Sequence, residues 1–429
     1  VKKILAAALV ISAVTGCKKR DEPIVSTRYV DSLIQHYSPS ALATINKGDL
    51  VFWQKRMDSL PDNFVNGPKY AAALALRFHL FGNIQDLQKA DSLLKQANLA
   101  YKEEEDGILY TLSSLSMQQH RFTDAAVFTD KAIKAGDNRY GGQLALFDVA
   151  FERGDYDVAG SIIKNMTPSD TYPCYFRRSK YEHYKGSLDS SVFYMMKAVK
   201  KSAGNRYLEQ AALSNAADLD IHKADLKQAY DLYKESIAID VCDVHSIMGI
   251  GWIALTHDKN DTLATRIFSF AHHHTSSPEP LLKMMRVAEW EHDSGMQKEL
   301  ARQFEAQASG PEYGSMYNKY LIELYTGILN NPSRAIELSK GEIENRATPQ
   351  TYAWYAWALL NNGQKEKATE IYDRYISGKP LEGLELYYMG KLMKGLSKGY
   401  NAQQYFKAAF ENRYDLSPSQ IIDLEKNLE

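Results

Sequence analysis

Cysteine, proline and glycine are all scarce in this 429-residue chain, at 3, 13 and 25 residues. So few prolines and glycines argue against a β-protein with many tight turns and leave helices as the main element. Neither sign of charge dominates: 51 Lys and Arg stand against 53 Asp and Glu. A nucleic-acid-binding protein carries a basic excess, so no nucleic-acid partner is expected. No apolar run approaches the roughly 18 residues that a membrane-spanning helix needs. A GxxxxGKS/T phosphate loop, an HExxH metal pair and a GxSxG nucleophile elbow are all missing from the sequence. No catalytic residue, resident metal or cofactor is therefore expected. What is present is an ordinary apolar share, 45%, enough to bury a large core. Tyr is abundant, at 28 against 15 Phe, and supplies amphipathic rings for packing or contact.

The first residues read as a targeting segment. Lys2 and Lys3 precede an apolar run from Ile4 to Val14. As a helix that run is about 16 Å long, too short for a bilayer core. Its lengths match a signal peptide over residues 1–16. Val14-Thr15-Gly16-Cys17 resembles the lipobox of bacterial lipoproteins, with Val14 in place of the usual Leu. The resemblance implies that Cys17 becomes the N-terminus and carries acyl chains in a lipid bilayer. Several chains give stable anchoring where one is marginal. Lys18-Lys19-Arg20-Asp21-Glu22-Pro23 is too polar to pack, and residues 17–28 read as a flexible tether. Lys18 after the cysteine resembles outer-membrane sorting. The expected location is the cell envelope, as an outer-membrane lipoprotein facing the periplasm or the surface.

The rest of the chain repeats itself. In the clearest unit, Thr351 to Leu360 and Lys367 to Tyr375 read as two helices around Asn361-Asn362-Gly363, and Pro380 ends the unit. Small residues, Ala356 and Ala368, let the two helices approach. The second-helix anchor recurs as Ala90, Ala125, Ala159, Ser191, Ala229, Ala264, Ala301, Ala335, Ala368 and Ala402, at intervals of 32 to 38 residues. A second small residue follows seven positions later in most units, as at Ala132, Ala198 and Ala271. Ala368 and Ala402 should sit at helix contacts with no room for a larger side chain. Turn signals precede the anchors at Gly154, Gly186 and Asn330-Asn331.

A large-small pair, a turn glycine, a second-helix alanine and a closing proline at a period near 34 resemble the tetratricopeptide repeat. The resemblance covers about residues 68–415. It implies an all-α fold, a right-handed α-solenoid of about ten helix-turn-helix repeats. Residues 29–67 read as an N-terminal helical cap, with Phe52-Trp53 over the open end of the first repeat. Residues 416–429 read as a C-terminal helix or cap.

What the resemblance implies for function is a concave groove, lined by the first helices, that binds a protein or peptide partner. Aligning the repeats sends Tyr110, Phe176, Tyr320 and Tyr387 toward that groove, near Lys180, His183, Lys391 and Lys394. Packing between adjacent first helices is the competing reading of the same rings. His272-His273-His274 ends a second helix, where imidazoles can bond the terminal carbonyls. Neighbours on a helix point about 100° apart, so convergence of all three on a metal is the weaker reading. Cys174 and Cys242 fall two repeats apart, on the order of 16–20 Å from interhelix spacings. That exceeds the reach of a disulfide, so both are expected as free, packed thiols.

Two function classes are carried forward. One is a membrane-anchored scaffold or adaptor that holds a protein or peptide in its groove. The other is a glycan-capturing lipoprotein that works with a transporter. The even repeat spacing leaves no room for the long loops that would build a sugar site.

Overall fold

The computed structural model describes residues 22–60, 64–136, 138–396 and 399–429. The expected signal peptide, Cys17 and the basic residues after it lie outside them. The described residues are helical throughout, and none of their helices is long and apolar enough to cross a membrane.

Two helices come first, α1 (Thr27–Gln35) and α2 (Ala41–Ser59). Ten antiparallel pairs follow: α3 (Asn66–Phe81) with α4 (Ile84–Ala100), α5 (Asp106–Gln118) with α6 (Phe122–Ala135), α7 (Arg139–Arg153) with α8 (Tyr156–Asn165), α9 (Tyr172–Tyr184) with α10 (Leu188–Lys201), and α11 (Arg206–His222) with α12 (Leu226–Ile239). The series continues as α13 (Val244–Thr256) with α14 (Asp261–His274), α15 (Glu279–Trp290) with α16 (Ser294–Ala308), α17 (Asn318–Thr326) with α18 (Pro332–Asn345), α19 (Pro349–Asn361) with α20 (Lys365–Ile371), and α21 (Gly383–Gly395) with α22 (Ala402–Glu411). A last helix, α23 (Pro418–Leu428), closes the chain. This is an all-α solenoid of helix-turn-helix pairs.

Each pair is built by the same local devices. The turn inside a pair places one residue in the left-handed region, where a side chain is strained and glycine is not. Glycine takes the position at Gly154 (φ 88°) and Gly363 (φ 75°). His120, Ala224, Lys259, His292 and Asn330 take it elsewhere at φ 47–61°. The following amide then bonds back into the first helix, as Asp225 N to Asp220 O at 2.8 Å. That bond satisfies a carbonyl the helix end leaves open. Asp225, Asn260, Asp293 and Asn331 cap the next helix, each side chain accepting from an amide three residues on.

Small residues close the seam between paired helices. Nine of the ten anchors are fully buried, at 0% exposure. Opposite them the first helix also thins. A Cβ added to Gly390 would meet the Phe406 ring at 2.5 Å, and one added to Gly251 would meet Phe268 at 2.5 Å. Ser191 is the anchor that is not alanine, and its hydroxyl is satisfied inside the seam: Ser191 Oγ donates to Ser179 O, and Ser179 Oγ to Ser191 O, both at 2.8 Å. Ala402 departs from the pattern. It opens α22 and is half-buried, because Asn401 caps the helix one residue earlier. Phe406 and Ala409 make the seam in that pair.

The solenoid also winds back onto itself. Ser276 N donates to Phe81 O at 2.7 Å, and Gln88 Nε2 to Glu312 O at 3.2 Å. Asn345 accepts from Phe122 N at 3.1 Å and donates to His120 O at 2.6 Å. Asn345 thereby caps α6, whose own N-cap residue Arg121 makes no such bond. Groups about 190 to 225 residues apart meet across one superhelical turn. One apolar cluster accordingly joins Leu74 and Leu115 to Phe304 and Trp354.

Both ends of the described residues bind the middle of the array, which corrects two expectations. The backbone amides of Ile24 and Val25 each donate to the Asp258 carboxylate at 2.9 Å, and α1 packs on α14 with Arg266 bonded to Asp31 at 2.5 Å. The second half of the expected tether is therefore fixed. In the expected cap, α2 packs on α3 through Asn46 and Leu50, with Asn46 Nδ2 on Ala73 O at 2.8 Å. Trp53 is half-buried there, whereas Phe52 faces outward at 53% exposure and covers nothing. At the other end, Trp252 Nε1 donates to Tyr414 O at 2.7 Å, and α23 touches α15.

Candidate interior binding site

Winding the array through a full turn forms an open chamber of about 980 Å³. One wall comes from α7 and α9, the other from α17, the loop after α18 and the segment before α21. Lys180 of α9 pairs with Glu152 of α7 and stands 4.7 Å over the Phe151 ring. Arg346 reaches the same carboxylate from the opposite wall at 3.8 Å. Burial pushes the Glu152 carboxyl up, but Lys180 and Arg346 outweigh it and hold it below the usual range. Tyr156 and Tyr184 stack beside them with ring centres 3.6 Å apart.

Across the chamber, Lys319 lies 3.7 Å from Glu382 and 3.2 Å from Glu385. His222, at the end of α11, bonds Asp415 at 2.7 Å, and Asp415 also accepts from Gly383 N at 3.1 Å. One carboxylate thus ties α11 to α21. Burial works against the His222 imidazolium, but Asp415 and Glu382 outweigh it and raise the pKa to about 9. Its neighbour His183, with ring centres 4.8 Å apart, is pushed down by burial and by His222. His120, buried beside Arg346, falls to about 4.

A recess of about 360 Å³ shares His222, Lys319, Tyr320 and Asp415 with the chamber. There Asp218 accepts from Tyr233 at 2.6 Å and from His245 at 2.9 Å. The Asp218 carboxylate raises the His245 pKa to about 10. Arg286 pairs with Glu323 and with Glu289. The interior is therefore lined by charges of both signs, held to one another in pairs, with aromatic rings between them.

The expected groove residues divide. Lys180, His183 and Tyr320 line the chamber. Tyr110 lines an adjoining cavity of about 640 Å³ that shares Lys180, Glu152 and His120 with it. Phe176 does not reach the chamber; it is half-buried against the α9–α13 core, beside Tyr172. Tyr387 and Lys391 are taken by the chain itself. Both bond Asp423 of α23, at 2.6 and 2.9 Å, and Lys394 bonds Asn427 at 2.6 Å. The face of α21 expected to meet a partner is thus covered by the C-terminal helix. His273 and His274 donate through Nδ1 to Ser269 O and Phe270 O, at 2.6 and 2.8 Å, closing the end of α14. Cys174 and Cys242 are free and buried in separate clusters.

The residues missed in the sequence include six that line the chamber: Glu152, Tyr184, His222, Arg346, Glu382 and Asp415. For three of them a signal existed. Glu152, Tyr184 and His222 each sit two positions before the left-handed turn residue of their pair, Gly154, Gly186 and Ala224. The other three lie in links between or after the pairs, where no period marks them.

No protein-family model and no curated protein is matched by the chain. Solved structures are. The chain resembles Pseudomonas aeruginosa pilF at 13% identity, over 51% of this chain and 98% of that one, with a TM-score of 0.37. A tetratricopeptide repeat protein from Parabacteroides merdae shares 14% identity over 60% of this chain and 98% of its own, with a TM-score of 0.34. Yeast Tom70 shares 14% over 93% and 96%, with a TM-score of 0.33.

Proposed function

We propose that this protein is a scaffold of the bacterial envelope, anchored through Cys17, that holds an extended segment of a protein partner in its interior chamber. The carrying observation is the chamber, about 980 Å³ in volume and walled by fixed charges of both signs. Charges already paired within the wall suit the alternating donors and acceptors of a peptide backbone better than a ligand of one sign. The stacked Tyr156 and Tyr184 offer a rigid apolar platform for a side chain. Wall groups held in ion pairs are positioned for holding a ligand, and among the described residues none of the three chamber histidines, His120, His183 and His222, is hydrogen-bonded to a serine, cysteine or threonine side chain.

Anchoring supports this reading through the lipobox-like Val14 to Cys17. The test is recovery of partners from detergent-solubilised membranes. Wild-type protein should retain one envelope protein, and Tyr184→Ala should lose it while keeping the wild-type circular dichroism. Glycan binding with no retained protein overturns the proposal. Cys17→Ala should release the chain from membranes; a substituted protein that still sediments after a high-salt wash removes the anchor.

A further inference from the structure

The recess beside the chamber contains two groups that the rest of its wall does not answer. Its other cations are matched: His222 by Asp415, His245 by Asp218, Arg286 by Glu323 and Lys319 by Glu385. Lys283 of α15 is the exception. Its ammonium stands 3.9 Å over the Trp252 ring and forms no ion pair among the described residues. Glu385 of α21 is the second exception. The residue is wholly buried, and its Oε1 accepts from Trp354 Nε1 at 2.7 Å and from Lys319 at 3.2 Å. Its Oε2 has no hydrogen-bond partner.

A half-buried ammonium with no ion-pair partner and a buried carboxylate oxygen without a donor are both costly. Lys283 and Glu385 are both lining residues of a single space of about 360 Å³. Such a space is on the order of 9 Å across, the size of a small metabolite. The rest of its wall is partly apolar, with Ile221, Met248, Leu282 and Leu384.

We infer that the recess binds a free amino acid with an apolar side chain, Lys283 holding its carboxylate and Glu385 accepting a hydrogen from its ammonium. One zwitterion answers both vacancies, and its side chain faces the aliphatic part of the wall. A simple carboxylic acid answers only Lys283, and a simple amine only Glu385. Burial, with Arg286 nearby, pushes the Lys283 pKa down to about 8 against the opposing pull of Glu279. The group is still mostly protonated at neutral pH, and a bound carboxylate stabilises that form. This site is independent of the partner reading, since its ligand is small and the chamber is not required to be filled.

The experiment is calorimetric titration of the folded chain with leucine, methionine and phenylalanine, beside 4-methylpentanoate and 3-methylbutylamine. At least one amino acid should bind and raise the melting temperature. The matching acid and amine should each bind at least about tenfold more weakly, since the acid leaves Glu385 Oε2 without a donor and the amine leaves Lys283 without an ion-pair partner. Lys283→Met keeps the aliphatic stem over Trp252 and should weaken amino-acid binding by a similar factor while the protein stays folded. Glu385→Gln should remove the preference for leucine over 4-methylpentanoate. No binding by any of the three at about 10 mM, weaker than the millimolar range, overturns the inference. Unchanged affinity in Lys283→Met overturns it as well. Loss of the partner in Tyr184→Ala with leucine binding intact separates this site from the chamber.

Discussion

The seams between paired helices are fully buried and the interior wall of the turn is partly so, and the two are built from opposite materials. The seams are uniform: small residues at a fixed period, nearly all alanine, with no charge. The wall is heterogeneous: Glu152, Lys319, Arg286, His222 and Asp415 differ from pair to pair and find their partners on other helices. A seam joins neighbours in the chain, so one rule serves every pair. The wall joins first helices of successive pairs, as Lys180 with Glu152 and Arg286 with Glu323, and also groups a full turn apart, as His222 with Asp415, so each contact is solved once. What a position tolerates therefore follows from the chemistry of its contact, size in the seam and charge in the wall.

The sharpest test of that contrast removes one half of a wall pair. Lys319→Met leaves Glu385 buried with only the Trp354 indole as donor. It should cost about 3 kcal/mol in urea unfolding. The double variant with Glu385→Leu should recover most of that loss. A single variant as stable as wild type would mean that the wall charges are solvated and the contrast false.

In the seam, size replaces charge as the sensitive property. Ala264 is fully buried, and Ala264→Leu should overpack by about 1–3 kcal/mol. The half-buried Ala402 breaks the seam rule, so Ala402→Leu should cost under about 0.5 kcal/mol. Equal losses of melting temperature for the two would show that the register of α22 is misread.

The wall should also respond to pH where the seams cannot. His222 has a folded pKa near 9 against about 6.5 unfolded, so the folded state binds its proton more tightly. Its contribution is fully present below pH 6.5 and is lost as pH rises through 9. Asp415→Asn should abolish on the order of 1 kcal/mol of that fall. His120 works in the other direction. With a folded pKa near 4, its neutral form stabilises above pH 6.5 and that contribution is lost as pH falls toward 4. Denaturant midpoints measured from pH 5 to pH 10 check both slopes.

The smallest effect belongs to charge on the outside. Lys134 and Asp130 pair at 2.6 Å on α6, but both are mostly exposed. Asp130→Asn should change stability by no more than about 0.5 kcal/mol. A loss approaching that of Lys319→Met would remove the distinction between an outer pair and a wall pair.

The same contrast marks what was legible. Ala125, Ala159, Ala264 and Ala335 identified their pairs because a seam needs a small residue wherever two helices touch. Gly154 and Gly363 marked turns because glycine reaches the left-handed region without strain, whereas Ala224 and His292 hold the same geometry with no such sign. Lys180, His183 and Tyr320 were placed by repeat alignment on first helices that face inward. The same alignment misplaced Tyr387 and Lys391, because it carried no information about where α23 would lie.

Periodic small residues in the sequence determined the helix pairs, their number and the faces that meet, because those contacts involve residues within one or two turns of chain. The tertiary structure alone decided how far each pair rotates on the last. Those small rotations accumulate over the array, and their sum sets which residues meet about 190 to 225 positions later. The chamber, the pairing of His222 with Asp415 and the seating of Ile24, Val25 and Tyr414 on the middle helices all follow from that sum, which no single repeat encodes.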